Sequence, residues 1–153
     1  MSEPPADQAW RAARREAFEE HAAARRRAEE AESARARPLV AEFVRRARAQ
    51  GLAPVALRAR AYSGSATFRT GLTGWYLQPG GPLAVGEDGA FYVLLAAPGF
   101  AARCRGVDLE PSPPPLAVGR GARDGESMPL AELLDRRLAA GDAFRRTRAG
   151  AAD

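Results

Sequence analysis

An α+β fold is the class that this 153-residue sequence predicts: an antiparallel sheet of four to six strands packed with two helices and preceded by a long charged helix. The hairpin at 83–96 is expected to be central, because two apolar runs flank a turn at Asp88 and Gly89. Its second run is apolar throughout, so both of its faces should be covered. Alternation of apolar and polar residues over 55–62 predicts a half-buried strand.

Three regions are predicted along the chain. Residues 1–36 form a charged helical extension, in which 8–36 consist almost entirely of Ala, Arg and Glu. Residues 1–8 are polar, contain Pro4 and Pro5, and are expected to be disordered. Residues 37–141 form the compact α+β domain, and 142–153 form a flexible tail. Pro38 is expected to interrupt the helix, because the residue before a proline is biased away from the α conformation.

The domain begins with a predicted helix at 38–50. Apolar residues recur there at helical spacing, and Gly51 ends the pattern. Glycines at 71 and 74 within the following strands predict a bulge or a close backbone approach. A short helical turn or loop is expected at 100–105, and a last strand at 116–118. Ser127 is the predicted N-cap of a third helix, which has leucines along one face.

The charge of the chain is locally concentrated. All 23 basic residues are arginine, an excess typical of a GC-rich bacterial genome, and 19 acidic residues reduce the net charge to +4. Residues 1–36 carry seven Arg against eight acids, whereas 37–62 carry six Arg against one acid. No apolar stretch is long enough for a membrane span and the N-terminus lacks a signal-peptide pattern, so a soluble cytoplasmic protein is expected.

The sequence offers no convergent set of catalytic groups. His21 is the single histidine and lies in the charged helix, and Cys104 is the single cysteine, so neither a catalytic triad nor a metal site is expected. No catalytic residue, metal or cofactor is predicted. The chain is interpreted as more likely non-enzymatic, although a site built from Arg, Tyr and backbone groups would leave no recognisable pattern.

Two groups of residues are candidate binding sites. Arg58 and Arg60 alternate with Tyr62 on one strand and Arg69 faces them from the next, an arrangement that can hold phosphates and stack bases. Trp75 and Tyr76 follow Gly74 and either line a pocket or interface, or belong to the core. The second group is a possible anion-binding loop, in which Arg120 and Arg123 precede Ser127 at a helix N-terminus.

These observations favour a non-enzymatic binding or adaptor protein. Its partner would be another protein or a second copy of the chain, contacted through the N-terminal helix, although that helix lacks the large apolar heptads of a coiled coil. The alternative is a nucleic-acid-binding protein that uses the arginine-rich sheet face together with the arginines of the 38–50 helix. No membrane partner is expected.

Overall fold

The computed structural model describes residues 5–63, 65–97, 99–119 and 126–144, and it confirms the α+β class. Helices and strands follow one another in the order α1 (Pro5–Ala49), β1 (Val55–Ala61), β2 (Thr67–Tyr76), β3 (Leu83–Gly86), β4 (Phe91–Val93), β5 (Leu95–Ala96), α2 (Phe100–Arg105), β6 (Ala117–Val118), β7 (Met128–Pro129) and α3 (Leu130–Ala140).

Helix α1 is one continuous helix of 45 residues, so the expected interruption at Pro38 is wrong. Its buried residues recur three or four positions apart on both sides of the proline and form a single stripe of Ser33, Ala36, Val40, Phe43 and Ala47. Pro38 is exposed on the opposite side. Packing of this stripe therefore outweighs the hydrogen bond that proline cannot donate.

The start of α1 also differs from local expectation. The helix begins at Pro5, so the disorder expected through residue 8 is wrong for 5–8, and residues 1–4 lie outside the described range. The division predicted between 36 and 37 falls inside the helix. Burial of the docked stripe begins at Ser33, just after Glu32 accepts a hydrogen bond from the Leu116 amide at 3.0 Å.

The main sheet curls until its two edges meet. Its strand order is β4-β3-β2-β1-β5, and the two edge strands are separated in the chain by Leu94 alone. The Leu94 amide donates to the Pro82 carbonyl at 2.6 Å on the β3 side. Its carbonyl accepts from the Arg60 amide at 2.9 Å on the β1 side. The run 91–96 therefore pairs antiparallel with β3 and parallel with β1.

Closure gives the sheet an inner and an outer surface. Leu57, Tyr76 and Tyr92 point inward and are buried together. Trp75 lies opposite Val85 in the β2–β3 register, and both face outward against the helices. The predicted cover on both faces of the 91–96 run is confirmed, because consecutive residues of that run are buried in the outer and the inner cluster.

Trp75 joins the sheet to the end of α1. Its indole N–H donates to the Leu52 carbonyl at 3.1 Å. Its ring meets Phe43 edge to face, with the centroids 6.0 Å apart and an interplanar angle of 86°. The neighbouring Gly74 shows the close approach that its position predicted, because a Cβ atom there would lie 2.1 Å from the Val85 carbonyl oxygen.

Helix α3 begins later than predicted. Ser127 is not its N-cap, because Met128–Pro129 first pair with β6 and the helix starts at Leu130. The predicted leucine face is buried, and Arg137 is buried with it; its Nε donates to the Tyr76 carbonyl at 2.8 Å. Its guanidinium lies 4.0 Å from the ring centroid of Phe144, a buried residue within the predicted tail. The rest of that tail, 145–153, lies outside the described residues.

A hydrogen-bonded turn fixes the β3–β4 hairpin. Asp88 accepts the Ala90 amide at 3.0 Å and the Tyr92 hydroxyl at 2.7 Å, while Gly89 takes the positive φ of 82° that the turn requires. Burial raises the pKa of Tyr92 to about 12, and the hydrogen bond to Asp88 and the charge of that carboxylate add to the effect.

Replacing Pro38 by Ala is expected to stabilise the protein by about 1 to 3 kcal/mol, because the helix regains an amide donor and loses a steric clash. Chemical denaturation followed by circular dichroism measures this change. Pro54→Ala, which lies outside every helix, is the matched control and should give no comparable gain. An unchanged or lower unfolding free energy in Pro38→Ala would contradict the interpretation.

The raised pKa of Tyr92 predicts a loss of stability at high pH. The contribution of the protonated Tyr92 hydroxyl to the free energy of unfolding is fully present below pH 10, the pKa of tyrosine in the unfolded chain. It falls as the pH rises toward 12, by about 2 to 3 kcal/mol in total. Tyr92→Phe lacks this titration. The difference in unfolding free energy between wild type and variant should therefore shrink over that window. Difference absorbance at 295 nm, wild type minus variant, should titrate near pH 12, and a midpoint near 10 would be inconsistent with the buried hydroxyl.

Candidate functional site

The exposed side of strands β1 and β2 carries three arginines. Alternation along β1 buries Leu57 and Ala59 and points Arg58 and Arg60 outward. Arg69 of β2 lies directly opposite Arg58 in the antiparallel register. Arg58, Arg60 and Arg69, predicted from the sequence as one group, are therefore neighbours on one surface, here called the arginine face.

Each of these guanidinium groups is held by an uncharged acceptor. Arg58 Nε donates to Thr67 Oγ1 at 3.2 Å, and Arg69 Nη2 donates to the Cys104 carbonyl at 3.1 Å. Arg60 Nη2 donates to the carbonyl of Gly80. Within the described ranges, no carboxylate forms an ion pair with any of the three. Their positive charge is oriented by the fold and is not neutralised by a neighbouring acid.

This arrangement does not favour the stability of the isolated sheet. Arg58 and Arg69 are directly cross-strand, where side chains stand about 5 Å apart at Cβ and like charges repel. The neutral acceptors hold the guanidinium groups but cannot offset their charge. A bound anion would offset this positive charge, so the geometry suits recognition of a negatively charged ligand.

Two exposed aromatic rings border the arginine face. Tyr62 follows β1 and is 71% exposed, and its amide donates to the Ala96 carbonyl. Phe100 begins α2 only four residues beyond Ala96 and is 85% exposed. Helix α2 is held against β2, since Arg69 donates to its Cys104 carbonyl and the Val107 amide that follows the helix donates to the Arg69 carbonyl at 2.8 Å. Phe100 was not among the predicted site residues, although a large apolar residue just after Pro98-Gly99 was a usable signal.

Trp75 and Tyr76 are not part of this surface. They are 1% and 5% exposed and belong to the outer and inner core clusters, so the core alternative describes them and the pocket or interface does not. Both residues lie at the end of β2 that packs against α1 and α3, whereas Arg69 lies toward the other end, next to α2.

The arginines of the 38–50 segment are also separate from the arginine face. Arg45 Nε donates to Glu42 at 2.8 Å, and Arg46 forms an ion pair with Asp135 of α3 at 2.9 Å. The charges of Arg45 and Arg46 are balanced by acids on the helices, whereas Arg48 donates to the Glu87 carbonyl at 3.0 Å. The nucleic-acid hypothesis therefore retains the sheet arginines and loses Arg45 and Arg46.

The predicted anion loop stays a prediction. Arg120 and Arg123 lie outside the described residues. Ser127 is exposed and precedes β7, so its hydroxyl does not cap α3, whose N-cap position is Pro129.

The remaining chemically reactive residues lie apart from one another. His21 is exposed on α1, and Cys104 is exposed within α2. Across the described residues, no group of three or more His, Cys, Asp or Glu side chains could hold a metal ion. The arginine face offers hydrogen-bond donors and aromatic rings, which can bind a ligand.

The N-terminal part of α1 is a second exposed surface. No residue in 5–31, here called the arm, is buried, and the helical rise makes it about 40 Å long. Its largest apolar side chains, Trp10 and Phe18, are 60% and 75% exposed. The Arg14 guanidinium lies 5.1 Å from the Trp10 ring centroid. The arm therefore presents exposed aromatic side chains away from the core.

Comparisons with protein-family models, curated proteins and solved structures found no match to this chain. Over the described ranges, none of the helices is both long enough and apolar enough to cross a membrane.

Proposed function

We propose that this protein is a non-enzymatic binding protein of the adaptor type, and that its arginine face takes a single-stranded nucleic acid. The observation that carries the proposal is the cross-strand pair Arg58 and Arg69, with Arg60 beside it, held by neutral acceptors and flanked by exposed rings. Phosphates would supply the negative charge that the surrounding residues do not.

The aromatic rings favour a single strand over a duplex. Unpaired bases stack on exposed aromatic rings, and this contact contributes about 1 to 3 kcal/mol per base with little dependence on base identity. Tyr62 and Phe100 stand at one end of the row of arginines, so a strand could place phosphates along β1 and bases against the rings. Duplex DNA keeps its bases stacked internally and would leave these rings unused.

The arm supports the adaptor part of the proposal. Trp10 and Phe18 are exposed on a helix whose docking to the core begins only at Glu32. Exposed aromatic residues on such a surface are typical anchors of protein–protein contacts. The chain would then combine a nucleic-acid surface on the sheet with a protein surface on the arm.

Replacing Arg58 and Arg60 together by Ala is expected to weaken binding of an oligo-dT or oligo-U probe about 10-fold or more at 50 mM salt, because two phosphate contacts are lost. The slope of log affinity against log salt should fall by about 0.7 for each contact. Fluorescence anisotropy over 50–300 mM salt measures both quantities.

The matched control is the double variant Arg45→Ala and Arg136→Ala. It removes the same formal charge from exposed arginines that already pair with Glu42 and Glu132. Its affinity and salt slope should stay close to wild type. An equal loss of affinity in the two double variants would mean that only net charge matters. Wild-type binding that does not depend on salt would contradict the proposed phosphate contacts.

Phe100→Ala and Tyr62→Ala are each expected to weaken binding of the same probe about 5- to 100-fold, with the salt slope unchanged, because stacking is lost and the phosphate contacts remain. Trp10→Ala removes an exposed aromatic ring from the arm and serves as the control. Affinity that falls as far in Trp10→Ala as in Phe100→Ala would place the strand elsewhere on the molecule.

A further inference from the structure

We propose that the arm binds the arm of a second copy of this chain, in an antiparallel pair whose twofold axis passes close to Ala22. The inference rests on the proposed role of the arm as a contact surface. It does not depend on nucleic-acid binding by the arginine face. The second copy is identified by the order of charges along the arm.

Charged residues in this part of the chain are arranged in blocks of alternating sign. Arginines at 11, 14 and 15 are followed by glutamates at 16, 19 and 20, arginines at 25, 26 and 27, and glutamates at 29, 30 and 32. Alanines 22, 23 and 24 lie at the centre. Reversing the direction of the chain about this centre exchanges basic blocks with acidic ones. An arm with this order of charges is electrostatically complementary to an antiparallel copy of itself.

The register follows from that symmetry. When Ala22 faces Ala22 of the second copy, Arg15 stands level with Glu29, Arg14 with Glu30 and Glu19 with Arg25 of that copy. No charged residue from 7 to 37 then stands level with a like charge. A shift of two residues sets Arg15 level with Arg27 in one direction and Glu16 level with Glu30 in the other. Parallel pairing in register places every charged residue level with the same residue of the second copy, so that all of these charges repel.

One face of the arm carries this complementarity. The buried stripe of α1 continues toward the N-terminus, with the same spacing of three or four residues, through Glu29, Arg26, Ala22, Phe18 and Arg15. In the antiparallel pair, Phe18 packs beside Arg26 of the second copy, a cation–π contact, while Arg15 meets Glu29. Ala22 lets the two helices approach closely where they cross.

These charges are available to a second chain. The sequence offers pairs four residues apart within the arm, such as Arg15 with Glu19 and Arg25 with Glu29, but the described part of the chain forms neither as an ion pair. Phe18 is 75% exposed, and in the part of the chain that the structure describes, no residue of the stripe before Glu32 is buried.

The test measures the dimer dissociation constant by sedimentation equilibrium of the full chain, without nucleic acid and at low salt. Arg15→Glu and Glu29→Arg should each weaken the dimer about 10-fold, because two symmetric attractive contacts become repulsive. The double variant Arg15→Glu with Glu29→Arg should restore wild-type affinity. Arg27→Glu is the charge-matched control, since Arg27 stands level with Ala17, and it should change the constant little.

A disulfide assay locates the axis. In a Cys104→Ser background, Ala22→Cys should form an intermolecular disulfide under mild oxidation, whereas Ala24→Cys, on the opposite face of the helix, should not. A monomeric wild type, a double variant as weak as the single variants, or equal cross-linking at both positions would overturn the proposal. Arg58→Ala with Arg60→Ala should dimerise normally, which separates failure of this inference from failure of nucleic-acid binding.

Discussion

The contact made by Trp75 is the constraint on which the arrangement of helices and sheet depends. One ring packs on Phe43 of α1, donates to the carbonyl that follows that helix and lies opposite Val85 in the sheet. The adjacent Gly74 lets β3 come close enough for that register. Together with the buried stripe from Ser33 to Ala47, this contact sets the orientation of α1 and therefore the direction in which the arm leaves the core.

Closure of the sheet divides its outer surface into two parts with different roles. The half around Trp75 and Phe91 is apolar and is covered by α1 and α3. The half formed by β1 and the start of β2 lies outside the cluster that α1 and α3 cover, although Arg69 there donates to the Cys104 carbonyl of α2. Its inward residues fill the interior. The interior packing therefore does not use these arginine side chains, which lie at the surface, where a ligand can reach them.

Short-range sequence patterns predicted the elements that depend on interactions between residues close together in the chain. The Asp88-Gly89 turn, the alternation that exposes Arg58 and Arg60, and the leucine face of α3 all follow from short-range spacing. The helix interruption predicted at Pro38 is wrong, because the conformational bias of the residue before proline is outweighed by a buried stripe that extends on both sides of it. Long-range pairing also escaped prediction: nothing near Trp75 signals that helices cover it, and nothing in 91–96 signals that the run joins both edges of the sheet.

That junction also bears on how the chain avoids aggregation. The run from Phe91 to Ala96 is uncharged, apolar and rich in residues that favour strands, a composition that promotes cross-β assembly when its backbone is free. Here its first half pairs with β3 and its second half with β1, and the carbonyl of Phe91 also accepts the Ser112 amide at 2.8 Å. The segment most able to recruit other chains thus has backbone hydrogen bonds to β3, to β1 and to Ser112, a protection that lasts as long as the ring of strands stays closed.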